Sequence, residues 1–359
     1  MINLKEDLKP IGILEKNKFM LKLYTDQNYL TPENRKYVFP LLFDLWYVSN
    51  ANLLDKYQIV SEITNCDIVV VPIDIARFDS SKSQQKLNDF INKALDLDKK
   101  VWLYSAGDYG KSLTNRVYTF RLGGIASQLN TQTFIMPSFI NDPYISLLKE
   151  FRTLDKLELP QIGFVGHATN SFGKKIKEYL LFYKYNFKRW IGKIQTDYQP
   201  FYPSATKRYR YLKLLEKSDG IEANFVFRNK YRAGVRTVEE KKKTTLEFLE
   251  NIELNPYTFC MRGAGNFSVR FYETLAMGRI PLLVDTDFRL PLSDSINWEK
   301  HCIIAQEQHI EKTLIDFHQK ISPGEFEQMQ ANNRKLWQTH LEREAYFLKV
   351  YSLFKTDKE

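Results

Sequence analysis

Continuous apolar runs of strand length alternate along the chain with longer segments that have helical spacing. Apolar runs without strict polar alternation are typical of parallel strands that helices cover on both faces. In the first half, strands are predicted over 19–26, 67–75, 101–108 and 132–140, and a helix over 82–100. In the second half, a strand, glycine turn and helix are predicted over 161–185, followed by strands over 220–229, 257–263, 279–285 and 300–306. The pattern predicts an α/β fold of two Rossmann-like, doubly wound domains that face each other across a cleft.

A charged segment, "KEFRTLDKLELP" (149–160), separates the two halves. We therefore predict an N-terminal Rossmann-like domain over 1–155 and a C-terminal one over 156–333. The last stretch, 334–359, carries large apolar and charged residues at helical spacing, which predicts a helix. A cleft between two such domains is a preferred place for a small-molecule site.

The composition is that of a globular protein. The chain has 359 residues, of which 43% are hydrophobic, so it can bury a sizeable core. Its apolar runs are shorter than the roughly 20 residues of a membrane-spanning helix, and charges interrupt the N-terminus where a secretory signal has an apolar core. Cys66, Cys260 and Cys302 lie far apart in apolar surroundings, which favours reduced, packed thiols. We expect a cytoplasmic protein.

The formal net charge of +9 indicates an anionic partner without saying which one. Between 174 and 217, lysines and arginines are interleaved with tyrosine, phenylalanine and tryptophan. One interpretation is an amphipathic helix followed by an aromatic loop; a second is a surface for a polyanion or for the inner face of a membrane. Nucleic-acid binding is the weakest interpretation, since basic residues mixed with aromatic ones do not by themselves specify it.

The segment "FCMRGAGNFSVRFYETLAMGRIPLLVD" (259–285) combines a strand, a glycine turn, a helix and a second strand. Ser268 is a candidate N-cap for the helix, and Gly278 is placed to end it. Glycines let backbone amides approach a ligand, and a helix N-terminus favours negative charge, so a phosphate is a natural occupant. The candidate ligand-binding residues of the turn are Arg262, Gly263, Gly265, Asn266 and Ser268.

Arg270 and Glu273 lie one helical turn apart on the same face of the predicted helix. They form either a surface salt bridge or a binding pair, with Arg270 on a phosphate and Glu273 accepting the two ribose hydroxyls of a nucleotide. A bare G-x-G motif does not decide between these interpretations.

The segment "CMRGAGNFSVRFYETLAMGRIPLLVDTDFRLPL", with "INWEKHCI" after it, resembles the signature sequence of exostosin-like glycosyltransferases of family 47. The resemblance is strong over 259–304, and weaker in "CDIVVVPI", "YSAGDYG", "IGFVGH", "FRNKYRAG" and "NRKLWQTHLEREAYF". It implies a GT-B architecture, with an acceptor domain followed by a nucleotide-sugar domain, and transfer with inversion at the anomeric carbon. It also implies that Glu273 holds the donor's ribose, that Arg262 and Arg270 face its diphosphate, and that the last helix crosses back onto the first domain.

Other residues are candidates for the same donor site. His167 follows the first strand of the second half and binds a phosphate or the donor sugar, or has a structural role. Arg228, Tyr231 and Gly234, in "FRNKYRAG", are either ligand contacts or ordinary loop residues. The "DTD" at 285–287 is interpreted as a turn at a strand end. A position of Asp287 near the donor sugar is the second interpretation, and metal binding is the weakest.

An inverting transfer needs a base that takes the proton of the acceptor hydroxyl. Asp108, in "YSAGDYG" after a strand of the first domain, is the leading candidate, with Asp74 and Asp142 weaker. The arginines and loop amides can stabilise the leaving diphosphate, so we expect no metal and no cofactor.

The sequence therefore predicts an inverting, metal-independent glycosyltransferase that moves a sugar from a nucleotide-diphosphate donor, with UDP favoured, to a glycan or glycolipid acceptor. It lacks the signal anchor, stem and second transferase domain of the familiar eukaryotic members, which favours a cytoplasmic enzyme of polysaccharide synthesis in contact with a membrane surface. The alternative is a non-catalytic protein that binds a polyanion through 174–217.

Overall fold

The computed structural model describes residues 19–113, 116–228 and 234–355. Across these residues the strands form two parallel sheets, one in each half of the chain, with flanking helices. This confirms the α/β fold with two Rossmann-like domains facing across a cleft.

The sheet of the first domain has the strand order β2-β1-β3-β4-β5-β6. Its strands are β1 (Leu21–Tyr24), β2 (Tyr57–Val60), β3 (Ile68–Val70), β4 (Lys100–Ser105), β5 (Tyr118–Arg121) and β6 (Thr133–Ile135). The helices of this half are α1 (Pro40–Phe43), α2 (Ala51–Leu54), α3 (Ser81–Asp96) and α4 (Pro143–Leu147).

The sheet of the second domain has the order β11-β10-β9-β7-β8. Its strands are β7 (Gln161–His167), β8 (Glu222–Arg228), β9 (Tyr257–Cys260), β10 (Ile280–Val284) and β11 (Ile303–Ala305). The helices are α5 (Phe172–Trp190), α6 (Ser204–Glu216), α7 (Val238–Leu254), α8 (Val269–Ala276), α9 (Ile310–Lys320) and α10 (Pro323–Leu336). Strand β7 pairs with β8 on one side and with β9 on the other, so the direction of strand addition reverses at β7. In doubly wound folds, ligands bind beyond the carboxyl ends of the strands at such a reversal point.

Local sequence explains where these elements begin and why the strands are apolar. Every residue of β9 ("YTFC") and of β10 ("IPLLV") is buried. Both faces of these strands are covered, which explains why their sequences are mainly hydrophobic without polar alternation. Capping boxes begin several helices, because a Ser or Thr side chain accepts from the third helical amide while the residue there bonds back. The residues that form them are Ser80 with Ser83, Thr237 with Glu240, and Ser322 with Glu325.

The final helix, α11 (Arg343–Lys355), packs into the core of the first domain. Tyr57 on β2 donates its hydroxyl to Phe347 O at 2.7 Å, and Tyr346 donates to Ile135 O at 3.1 Å. The chain therefore returns to the first sheet after completing the second. The residue-level boundaries at 155/156 and 333/334 stay predictions.

The predicted elements appear close to their expected positions, but several elements were not predicted. The missed strands are β2 and β5, neither of which forms a long apolar run. The missed helices are α1, α2, α4, α6, α7, α9 and α10. Cys66, Cys260 and Cys302 are buried free thiols, as expected. None of the helices in the described part of the chain has both the length and the apolar content that crossing a bilayer requires.

Candidate functional site

The reversal point of the second sheet brings His167, at the end of β7, beside the residues that follow β9. The Nδ1 atom of His167 lies 3.0 Å from Arg228 O at the end of β8. Because a carbonyl oxygen only accepts, Nδ1 carries a proton, and Nε2 of the neutral ring is an acceptor. The Nε2 atom is buried and has no hydrogen-bond partner among the described residues.

Arg208, on α6, joins the carboxyl ends of β7 and β9. It donates to His167 O at 2.9 Å from Nη1 and to Arg262 O at 3.1 Å from Nη2. The guanidinium is thus fixed across the reversal point. Arg208 was not predicted as a site residue, because within "KRYRYLK" it looks like one more cation on a solvated helix face.

Arg262 emerges at the end of β9, as the sequence predicts, and it is almost fully buried. Its Nη2 donates to Gln199 Oε1 at 2.6 Å and to Ala264 O at 2.9 Å. Its guanidinium lies 4.8 Å from the ring centroid of Tyr202. These contacts hold the cation at the mouth of the glycine turn.

The basic groups of the reversal point have carboxylates nearby, Glu178 beside Arg208 and Asp108 beside Arg262. Burial and, to a smaller extent, the positive charge of Arg270 nevertheless lower the pKa of Arg208 to about 10. Burial also lowers the pKa of Arg262. The Nε atoms of Arg208, Arg262 and Arg270 and the Nε2 atom of His167 are buried and have no hydrogen-bond partner within 19–113, 116–228 and 234–355. The three arginine Nε atoms are donors, and buried donors without partners are costly, so these arginines favour an anionic ligand.

Glu178, on α5, is the carboxylate that faces this cluster. Burial raises its pKa, while Lys174, His167 and Arg208 act in the opposite direction. Its Oε2 atom is buried and unpartnered in the described part of the chain. Glu178 was not predicted either, since only tertiary packing determines which face of α5 points toward the protein.

Arg270 lies in the first turn of α8, directly behind the end of β7. Its Nη2 donates to Val165 O at 2.6 Å, and its guanidinium is 4.1 Å from the ring centroid of Phe164. A Cβ on Gly166 would lie 2.7 Å from Nη2, so that glycine makes room for the guanidinium. The structure thus gives Arg270 a packing role between helix and strand, and its role as a phosphate ligand stays a prediction.

Glu273 is half-buried on the same helix. Burial lowers the pKa of Arg270, and the negative charge of Glu273 acts in the opposite direction. The two side chains are therefore near enough to attract each other, as their spacing predicts. The assignment of Glu273 to a ribose stays a prediction.

The glycine turn between β9 and α8 packs closely against the first domain. A Cβ on Gly265 would lie 2.4 Å from Asp108 O, so only glycine fits there. The side-chain nitrogen of Asn266 donates at 2.9 Å to Gly124 O of the first domain and at 2.9 Å to Thr286 O. The side chain of Asn266 therefore joins the two domains.

The helix after this turn begins and ends where the sequence predicts. Ser268 occupies the N-cap position of α8, but its side chain makes no capping hydrogen bond. Ser268 lines a cavity together with Arg262 and Asn266. Gly278 ends the helix with φ of 64°, in the left-handed region that glycine adopts readily.

Asp108 is exposed in the cleft beside this turn. The neighbouring protein atoms partly exclude water from its carboxyl group, which raises the pKa, and the positive charge of Arg262 acts in the opposite direction. The weaker candidates have structural roles: Asp74 accepts from the amides of Ala76 and Ala106, and Asp142 bonds to Arg334. Asp108 is the candidate base that the structure places next to the arginine cluster.

The guanidinium of Arg228 lies against α7, where it pairs with Glu247 and donates to Thr244 O at 2.9 Å. Its backbone carbonyl orients His167. Tyr231 lies outside the described residues. Gly234 has a positive φ of 68°.

The carboxylates of "DTD" are engaged within the protein. Asp285 accepts from the amide of Asp287 at 3.0 Å and from Gln306 at 2.7 Å, and Asp287 accepts from Ser127 of the first domain. This matches the strand-end turn. Among the described residues there is no group of three or more His, Cys, Asp or Glu side chains that could hold a metal ion. The absence of a metal requirement stays a prediction.

No family model and no curated protein matches the chain. A solved glycosyltransferase from Rickettsia africae is similar at 10% identity and a TM-score of 0.39, covering 94% of this chain and 99% of that one. A point mutant of S. aureus TarM, solved with Fondaparinux, alpha-GlcNAc-glycerol and UDP, is similar at 9% identity and a TM-score of 0.35, covering 88% of this chain and 58% of TarM. The GtfA/B complex is similar at 11% identity and a TM-score of 0.36, covering 80% and 57%. These structural neighbours are glycosyltransferases, but TM-scores this low carry no argument about the function of this chain.

Proposed function

We infer that the protein is a glycosyltransferase that uses a nucleotide-diphosphate sugar, and that the cluster at the reversal point of the second sheet holds the diphosphate. One observation carries this proposal: Arg208 and Arg262 converge there beside His167, and the Nε donors of both arginines are buried and have no partner among the described residues. A diphosphate supplies both the negative charge and the acceptor oxygens that these groups lack.

In the proposed reaction the sugar leaves its diphosphate with inversion, as the resemblance to exostosin-like enzymes implies. Asp108 takes the proton of the acceptor hydroxyl, because it lies across the cleft from the donor domain beside Arg262. The negative charge that develops on the diphosphate oxygen is stabilised by Arg208, Arg262 and the amides of the glycine turn. Glu273 accepts the ribose hydroxyls, and no metal takes part.

The direct test is incubation of the purified protein with a panel of UDP-, GDP-, CMP- and dTDP-sugars, followed by chromatographic measurement of released nucleotide. We expect release from one class of nucleoside-diphosphate sugar, with the UDP-sugars favoured, and the same rate with EDTA. Release that requires a divalent metal would remove the metal-independent mechanism. No release from any donor, together with binding of heparin at low salt, would favour the non-catalytic polyanion-binding alternative.

A further inference from the structure

Helix α5 is unusual for the first helix of a Rossmann-like domain, because none of its residues is buried. Its inner face is nevertheless fixed. The ring of Phe182 lies 5.4 Å from that of Phe201, and Tyr185 bonds through its hydroxyl to Thr196 at 2.6 Å and packs 4.8 Å from Tyr109. The side of the helix that points away from the protein is therefore defined.

That outer side is an apolar stripe. Residues three or four positions apart lie on one face of a helix, and here they are large and exposed. Trp190 is 81% exposed and Leu180 is 64% exposed. The stripe consists of Phe172, Ile176, Leu180, Tyr183, Phe187 and Trp190.

Exposed lysines flank this outer stripe. Lys177, Lys184 and Lys188 follow one edge at helical spacing, and Lys175 lies on the other edge. A helix with an apolar face and flanking cations is suited to lie in the interface of a bilayer, with the apolar side chains among the acyl chains and the lysines at the headgroups. The helix has 19 residues and is about 28 Å long at 1.5 Å per residue.

We propose that the outer stripe of α5 docks the protein on an anionic lipid surface. The charges favour lipid over a second copy of this chain, because a symmetric contact through the stripe would bring the same lysines together. They also favour lipid over a soluble polyanion, since a polyanion leaves the large aromatic and aliphatic side chains in water. This inference is independent of the proposed catalytic function.

The test is co-sedimentation of the full chain with phosphatidylcholine vesicles and with vesicles that also contain phosphatidylglycerol. We expect binding to the anionic vesicles that weakens at high salt. The triple substitution K177Q/K184Q/K188Q should weaken this binding on the order of 100-fold at low salt, since each lysine contributes a factor of about 5. The double substitution Phe187→Ser with Trp190→Ser should weaken it at least about 10-fold.

Matched controls separate the stripe from general charge and hydrophobicity. K241Q/K242Q/K243Q removes three exposed lysines from α7, and Ile145→Ser removes an apolar side chain that is 73% exposed on α4. Both controls should bind like the unaltered protein. Tryptophan emission should shift to the blue on anionic vesicles, and Trp190→Phe should remove most of this shift while binding persists.

Equal loss of binding in the K241Q/K242Q/K243Q control would overturn the proposal, because net charge rather than α5 would then be responsible. So would vesicle binding that the Phe187→Ser, Trp190→Ser variant keeps. Absence of vesicle binding, with a dimer in sedimentation analysis that this variant dissociates, would assign the stripe to a second copy instead. Melting curves of each variant show that the fold is intact.

Discussion

A single substitution of Glu273 distinguishes its two possible roles, ribose binding and a salt bridge with Arg270. If it accepts the ribose hydroxyls, Glu273→Gln keeps the shape but loses charge-assisted hydrogen bonds, so nucleotide affinity should fall about 10- to 100-fold, or roughly 1–3 kcal/mol. The melting temperature should barely change. A salt bridge with Arg270 gives the opposite pattern, with unchanged affinity and lower stability. Calorimetric titration beside a melting curve distinguishes the two.

Asp108 is expected to control the pH dependence of transfer. A general base works as the carboxylate, and its raised pKa means that it holds its proton to a higher pH than an ordinary aspartate. The acid limb of the kcat/KM profile should therefore lie above the usual aspartate value of about 3.9. Asp108→Asn should lower kcat by at least about 100-fold, with nucleotide affinity unchanged.

An Asp108→Asn protein that keeps its rate would exclude Asp108 as the base. Glu178 is then the carboxylate to substitute next, since it faces the same cluster and its pKa is also raised by burial.

At the scale of elements, the turn between β9 and α8 depends on one glycine for its fit to the first domain. Gly265→Ala would bring a Cβ to 2.4 Å from Asp108 O, whereas a Cβ on Gly263 meets nothing within 4 Å. We expect Gly265→Ala to cost roughly 1–3 kcal/mol of unfolding free energy and Gly263→Ala to stay within about 0.5 kcal/mol. Urea denaturation of both variants measures the difference; similar stabilities would show that the domains shift apart easily at this contact.

Sequence predicted this turn well because its determinants are local. The apolar strand, the glycines, Ser268 and Gly278 are adjacent in "CMRGAGNFSVRFYETLAMG", so each element is predictable from its neighbours. Arg208 was missed because its importance comes from carbonyls at positions 167 and 262, which are distant in sequence. For α5 the amphipathic pattern was visible in the sequence, but only the contacts of Phe182 and Tyr185 show which face is outward.

At the scale of the whole molecule, an ion pair between a buried arginine and a partly exposed aspartate joins the two domains. Arg121, at the end of β5, is buried and bonds to Asp197 of the second domain at 2.5 Å. Asp197→Ala would remove the carboxylate partner of this buried cation, which keeps its hydrogen bonds to Ser112, Gly123 O and Tyr109 O. We expect a cost of roughly 1–3 kcal/mol. Asp219→Ala, an exposed position in the same domain, is the control and should be neutral. Calorimetric melting measures the loss; an unaltered melting temperature for Asp197→Ala would show that other contacts hold the domains together.

The central claim is that the cluster of His167, Arg208 and Arg262 binds a nucleoside diphosphate through its phosphates. Isothermal titration of the full chain with UDP and with uridine, in EDTA, tests it most directly, with GDP and ADP as further nucleotides. We predict that one diphosphate binds at least about 100-fold more tightly than its nucleoside, since two or more charge-assisted hydrogen bonds separate them. Equal affinity for diphosphate and nucleoside, or diphosphate binding that appears only when a divalent metal is added, would contradict the account.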